Sequence, residues 1–212
     1  MTELTNIANE FGTDKGTIFR EQHSFTEFYY PYLVHLKDKP VNVLEIGIEN
    51  GASLKMWKKF FGPKANIYAI DINSTTLNYQ EDRIKIYICD QSNRESLNKF
   101  KEEIKDIKFD LIVDDGSHNM KDQIITLYEL YPLLKEDGLY ILEDLHTSLW
   151  SGNENTSVLD FLIKMKSTPF LNDTEVANLK NSIDNKIIYF HSNTNNATGS
   201  ITSIITFKKK YL

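Results

Sequence analysis

The sequence predicts an α/β fold on a mostly parallel sheet, and three observations carry that prediction. Short apolar runs alternate with longer helix-like segments, the signature of strand–helix–strand crossovers. Two late apolar runs are joined by Ser192-Asn-Thr-Asn-Asn-Ala-Thr-Gly-Ser200, a turn-rich stretch short enough for an antiparallel hairpin. Two earlier runs end in acidic clusters, Asp114-Asp115-Gly116-Ser117-His118 and Glu143-Asp144-Leu145-His146. Buried parallel strands read as short apolar runs, and ligands bind at their carboxyl ends.

Taken in order, strands are predicted near Val41–Gly47, Asn66–Asp71, Ile84–Asp90, Phe109–Asp114 and Gly138–Glu143. The late pair lies near Lys186–His191 and Ile201–Lys208. Helices are predicted around Ser53–Phe61, Asn73–Tyr79, Arg94–Lys105 and Lys121–Leu134. Ser148–Ser182 is polar apart from Val158-Leu-Asp-Phe-Leu-Ile163, which predicts a helix and lid elements over the crevice. No repeat or low-complexity linker interrupts the chain, so residues 1–212 read as one domain. Within it, residues 1–40 form an N-terminal helical or lid segment, and residues 41–212 a ligand-binding core with a lid insertion near 148–182.

With 212 residues, 41% hydrophobic and 25% charged, the chain has the composition of a soluble globular domain. A net charge of −6 argues against nucleic acid or an anionic membrane as partner. The run Lys208-Lys-Lys210 reads as a solvated strand end. Cys89 is the single cysteine; it suits a reducing cytosol and reads as a strand residue, not a nucleophile. No secretory h-region opens the sequence, and no stretch approaches the ~18 apolar residues of a membrane span. The expected location is cytoplasmic.

The first strand runs into Leu44-Glu45-Ile-Gly47-Ile-Glu-Asn-Gly51-Ala-Ser53. Glycines there allow a tight turn and close backbone approach to a ligand, and the next helix offers unpaired N–H groups. The loop departs from the G-x-G-x-x-G that seats a dinucleotide pyrophosphate. Its acid, Glu45, suits an ammonium such as that of the methionine part of S-adenosylmethionine (SAM). Asp71 ends the second strand, 24 residues after Gly47, where a carboxylate can accept from both ribose hydroxyls. Asp90 ends the third strand and Gln91 follows it, where a carboxylate and an amide can read an adenine edge. Each of these, alone, also suits a helix cap or an ordinary turn.

The two acidic strand ends set four carboxylates and two imidazoles around one crevice. Burying several carboxylates together is costly unless a cation or a shared proton compensates, so the pattern asks for a metal ion. His118 lies between the two clusters and reads as a catalytic base. Asp114 either faces the cofactor or caps the next turn. His146 either orients Asp144 or Glu143 or packs as a loop histidine. Gly12-Thr13-Asp14-Lys15-Gly16 is either a flap over the crevice or a turn between helices. Trp150 is a candidate for stacking on a substrate ring, whereas Trp57, His35 and His191 read as structural.

The chain resembles the class I SAM-dependent methyltransferases, and more narrowly the metal-dependent sugar O-methyltransferases of macrolide and deoxysugar pathways. The resemblance spans nearly all residues. It rests on Gly12-Thr-Asp14-Lys15-Gly16 with His23-Ser-Phe-Thr-Glu-Phe-Tyr29, on Leu44-Glu-Ile-Gly47 with Ser53-Leu-Lys-Met-Trp57, and on Asp90-Gln91. Its most specific part is Asp114-Asp-Gly-Ser-His118 followed by Glu143-Asp-Leu-His-Thr-Ser148, with Glu143 28 positions after Asp115. It implies a Rossmann-like fold, a seven-stranded, mostly parallel sheet with an antiparallel last strand and helices on both faces. It also implies that Asp115, Glu143 and Asp144 bind a divalent cation, expected to be Mg²⁺, and that His118 is the base. The activity implied is methyl transfer from SAM to a sugar hydroxyl, nucleotide-linked or glycosidic, whose neighbouring hydroxyls chelate the metal. A small-molecule acceptor is the expected partner, and a homo-oligomer is allowed. A catechol would chelate in the same way, and a SAM-binding module without catalysis would share the fold but have no need of His118 among the acids.

Overall fold

The computed structural model describes residues 1–19, 22–149, 158–164, 168–193 and 200–206. Seven strands form one sheet: β1 (Asn42–Ile46), β2 (Asn66–Asp71), β3 (Ile84–Ile88), β4 (Phe109–Asp114), β5 (Leu134–Leu142), β6 (Ile187–Ser192) and β7 (Ile201–Thr206), in the order β3-β2-β1-β4-β5-β7-β6. The first five are parallel, and β7 enters antiparallel between β5 and β6. This is the mostly parallel sheet with a late hairpin that the crossovers predict, in the seven-stranded arrangement with an antiparallel last strand that the resemblance implies. The order reverses at β1 and β4, and that switch point opens a crevice at the carboxyl ends.

Helices cover both faces: α1 (Glu3–Phe11), α2 (Phe25–Leu33), α3 (Ala52–Phe61), α4 (Arg94–Ile104), α5 (Met120–Leu130), α6 (Val158–Lys164) and α7 (Asp173–Ile183). Strand residues alternate between the two sides. Val43, Ile67, Leu111, Val113, Leu139 and Ile141 pack with α1, α2 and α3. Leu44, Ile46, Ile70, Ile112, Tyr140 and Leu142 pack with the helices from α4 to α7. Local chemistry sets the helix ends. Thr2, Asn93, Asn119 and Asn172 each cap a helix with a side-chain oxygen, Asn172 in a reciprocal box with Glu175.

Three boundaries differ from the sequence reading. Residues Ser74–Tyr79 form a 3₁₀ helix and not an α-helix. The helix placed over Lys121–Leu134 stops at Leu130, followed by a 3₁₀ turn at Tyr131–Leu133 that accommodates Pro132. β5 begins at Leu134, ahead of the expected Gly138: Leu134 already pairs with Phe109 of β4, and the residues from Lys135 to Gly138 fall in a register shift before Leu139 pairs with Leu111. Trp150, Lys208–Lys210 and most of the hairpin turn lie outside the described residues. Among the described residues no helix is long and apolar enough to cross a membrane.

Candidate active site

The sheet's register decides which acids meet. Glu45 pairs with Val113, which pairs with Ile141. One residue beyond, Ile46, Asp114 and Leu142 lie side by side. The ladder continues past the strands, with Asp115 N–H donating to Ile46 O and Glu143 N–H to Asp114 O, both 2.9 Å. Two-residue alternation therefore sends Glu45, Asp115 and Glu143 to the face of α1 and α2, and Asp114 to the opposite face.

Lys15 enters the first group from the N-terminal segment. Its side chain is 1% exposed. The ammonium donates to Glu143 Oε2 at 2.8 Å and to Asp115 Oδ2, and lies 3.8 Å from Glu45 Oε1. Burial alone would lower the lysine pKa, but Asp115, Glu143 and Glu45 outweigh it and hold the ammonium well above its usual range. Glu143 is completed by Tyr29, whose hydroxyl donates to Oε1 at 3.0 Å. Burial drives the Glu143 carboxyl upward, against the opposing effect of Lys15. Glu45 is likewise pushed up, to about 7, by burial, with Lys15 countering, and accepts from Ser53 Oγ at 2.9 Å. Glu45 thus faces a lysine ammonium and a helix-start serine.

Facing the crevice is a second group. Asp115, His118 and Asp144 each present a ligand atom within 4.8 Å of the others. His118 Nε2 is 3.4 Å from Asp144 Oδ2 and 4.0 Å from Asp115 Oδ1. His118 and Asp144 both have φ of 54°, a left-handed conformation that costs a non-glycine residue energy and concentrates at functional sites. Asp144 Oδ1 and His118 Nδ1 are buried without a hydrogen-bond partner. Two carboxylates, one of them with an orphaned oxygen, fit a hard divalent cation, with the imidazole beside them. Asp115 and Asp144 offer open oxygens there, whereas both Glu143 oxygens are engaged by Lys15 and Tyr29.

Two residues the sequence reading passed over hold this geometry. Thr147 Oγ1 donates to His118 O at 3.1 Å, and Gln123 Nε2 donates to Glu143 O at 3.0 Å. They tie the segment after β5 to α5 and to the loop before it. An isolated Thr and Gln carry no such signal in sequence.

The crevice is a cavity of about 720 Å³, lined by Gly47, Asp71, Asp90, Gln91, Asp115, His118 and Asp144 among others. Gly47 has φ of 88°, and a Cβ there would sit 2.1 Å from Asp115 O. Gly51, with φ of 73°, starts α3. Asp71 already accepts from the backbone N–H groups of Ile48 and Asn73, both at 2.8 Å. Asp90 Oδ1 accepts from Ser92 N–H and Oγ. The Gln91 amide is committed inward: Oε1 accepts from Ser117 N–H at 2.7 Å, and Nε2 donates to Asp114 and Thr126. Cys89, just past β3, is buried, and burial pushes its thiol pKa up.

Asp114 is buried away from the cavity, with Oδ2 unpartnered. Burial pushes its carboxyl up to about 7, with the Gln91 bond opposing and Asp115 adding. An acid whose folded pKa exceeds its unfolded one, about 3.9, binds an extra proton when folded. Its contribution to stability is complete below the unfolded value and lost as pH rises to about 7. Asp114→Asn keeps an acceptor for Gln91 and removes the charge. It is expected to exceed the parent in stability by on the order of 1–3 kcal/mol near pH 8, with no advantage near pH 4. Urea unfolding at the two pH values measures this, and equal stability at both would contradict it.

Asp14, Lys15, His23 and His146 line the cavity. His23 Nδ1 bonds Ser200 Oγ, its ring stacks on Phe25, and its Nε2 is 3.9 Å from Asp14. His146 Nδ1 lies 3.7 Å from Asp144 Oδ1. Burial lowers the His146 pKa, with Asp144 countering. Tyr29 is buried behind Glu143 and reaches Thr202 Oγ1 at 2.8 Å. His191 stacks on Phe28 and Trp57 is fully buried, as structural residues.

No protein-family model matches the chain. It is 34% identical over 154 residues to 8-demethyl-8-alpha-L-rhamnosyl tetracenomycin-C 2'-O-methyltransferase of Streptomyces olivaceus, which covers 69% of this chain and 39% of that protein. It is 32% identical over 157 residues to mycinamicin VI 2''-O-methyltransferase of Micromonospora griseorubida, covering 71% and 38%. The MycE methyltransferase from the mycinamycin biosynthetic pathway, solved with Mg, SAH (S-adenosylhomocysteine) and mycinamycin VI, superposes with a TM-score of 0.74 at 26% identity, over 97% of this chain and 54% of that one. The chain therefore matches well under half the length of these curated relatives and about half of the solved chain. By sequence and by fold it is a relative of the sugar O-methyltransferases of macrolide and tetracenomycin pathways, on the class I methyltransferase scaffold.

Proposed function

We propose that the chain is a SAM- and divalent-cation-dependent O-methyltransferase that methylates a hydroxyl of a glycosidic sugar bearing a neighbouring hydroxyl. The observation that carries this reading is the Asp115–His118–Asp144 group, open to the same cavity as the Gly47 turn. Relatives named for sugar O-methylation, and a related structure solved with Mg and SAH, support it.

Gly47, Asp71 and Asp90 would hold SAM, which would supply an electrophilic methyl group. Asp115 and Asp144 would hold a divalent cation, expected to be Mg²⁺, which would supply Lewis-acid polarisation of the acceptor's oxygens. His118 Nε2, turned toward the two carboxylates, takes the proton that the hydroxyl gives up as its oxygen gains the methyl. Thr147, bonded to His118 O, keeps the imidazole over the site. The N-terminal segment carrying Asp14, Lys15 and His23 walls the cavity and limits water. The acceptor is a small molecule, and the single buried cysteine suits a cytoplasmic location.

The test is mass spectrometry of deoxysugar glycosides incubated with SAM and Mg²⁺. One added methyl group is expected, abolished by EDTA and restored by Mg²⁺. Full activity after exhaustive chelation, or no SAH from any glycoside, would overturn the reading.

A further inference from the structure

The N-terminal segment places a cation of its own in the acidic cluster, and its seat is built in. Thr26 N–H and Thr26 Oγ1 both donate to Lys15 O at 3.1 Å, and Ser24 N–H donates to Gly16 O at 2.8 Å. Gly16 lies so close to α1 that a Cβ there would meet Asn9 Oδ1 at 2.3 Å. The ammonium so delivered shares a carboxylate with the open group. Asp115 gives Oδ2 to Lys15, while Oδ1 faces His118.

A divalent cation at Asp115 and Asp144 must therefore share Asp115 with a fixed positive charge. Repulsion between like charges this near one another is poorly screened in a buried setting. We propose that Lys15 is the resident counter-cation of this centre and sets its affinity for divalent cations, holding it below what the carboxylates alone would give. Before the ion arrives, the same ammonium holds the Asp115 and Glu143 side chains in place through its hydrogen bonds. The inference rests on reading Asp115 and Asp144, beside His118, as a divalent-cation site.

The test is calorimetric titration of the full chain with Mg²⁺ alone. Lys15→Met is expected to bind Mg²⁺ at least ~10-fold more tightly than the parent. Lys15→Arg, which keeps the charge, should stay within about threefold of the parent. A purely structural lysine would give equal or weaker binding in Lys15→Met, and that result overturns the proposal. If Lys15→Met folds only when Mg²⁺ is present, the cation is replacing the missing charge, as proposed. If it stays unfolded even in excess Mg²⁺, the replacement fails and the proposal with it. A parent chain that binds neither Mg²⁺ nor Mn²⁺ would instead remove the metal site itself.

Discussion

Replacing His118 by alanine is expected to lower kcat by at least ~100-fold while SAH and Mg²⁺ affinities stay within a few-fold of the parent. The imidazole is the basic group held against both open carboxylates, at 3.4 Å and 4.0 Å. Its side chain is about a third exposed toward the cavity, so truncation leaves little void and little lost packing. The loop that carries it is fixed independently, by Ser117 Oγ on Asp122 at 2.9 Å and by Thr147 on the His118 carbonyl. A loss confined to kcat would mark a group needed only as the proton moves. Turnover equal to the parent would remove His118 as base, and a rise in KM alone would make it a binding residue.

Gly47→Ala is expected to be the most damaging glycine-to-alanine change among the described residues. Two costs add. A φ of 88° is unfavourable for any residue with a Cβ. The new methyl would also lie 2.1 Å from the Asp115 carbonyl oxygen and 2.9 Å from Gly116 Cα, backbone atoms that cannot rotate away. Together these predict a loss of roughly 2–5 kcal/mol. Gly51→Ala shares the positive φ but meets the Tyr79 side chain, with the Cγ at 2.8 Å, and a side chain gives more readily than a strand end. Denaturant unfolding should therefore rank Gly47→Ala well below Gly51→Ala. The Gly47 variant should also lose SAH affinity, since it pushes β1 from β4 where the cofactor crevice opens. Equal stability of the two variants would contradict this account.

The strand ends are legible in the sequence because buried parallel strands concentrate apolar residues, and the acids that stop each run have no other reason to be there. Asp115, His118 and Asp144 come together in the structure for that reason. Glu143 also arrives, but the partner of its outward oxygen is Lys15, 128 positions away. No local pattern encodes that pairing; it depends on how α1 and α2 lie over the sheet. The split between Asp114 and Asp115 is legible in principle, since alternate residues face opposite sides. It becomes decisive only once the register with β1 and β5 is known. Gln91 shows the same limit: it sits at the expected strand end, yet its amide closes on Ser117, Asp114 and Thr126, contacts contributed by later elements. The early start of β5 is masked by Lys135, Glu136 and Asp137, whose polarity reads as loop although their backbone continues the strand.

The most direct measurement is an anomalous difference map from crystals of the full chain grown with Mn²⁺ and SAH. A strong peak is predicted at the carboxyl ends of β4 and β5, in contact with Asp115 and Asp144 and beside His118, with SAH reaching the same cavity from the Gly47 turn. SAH bound in that crevice with no metal peak between Asp115 and Asp144 would contradict the account.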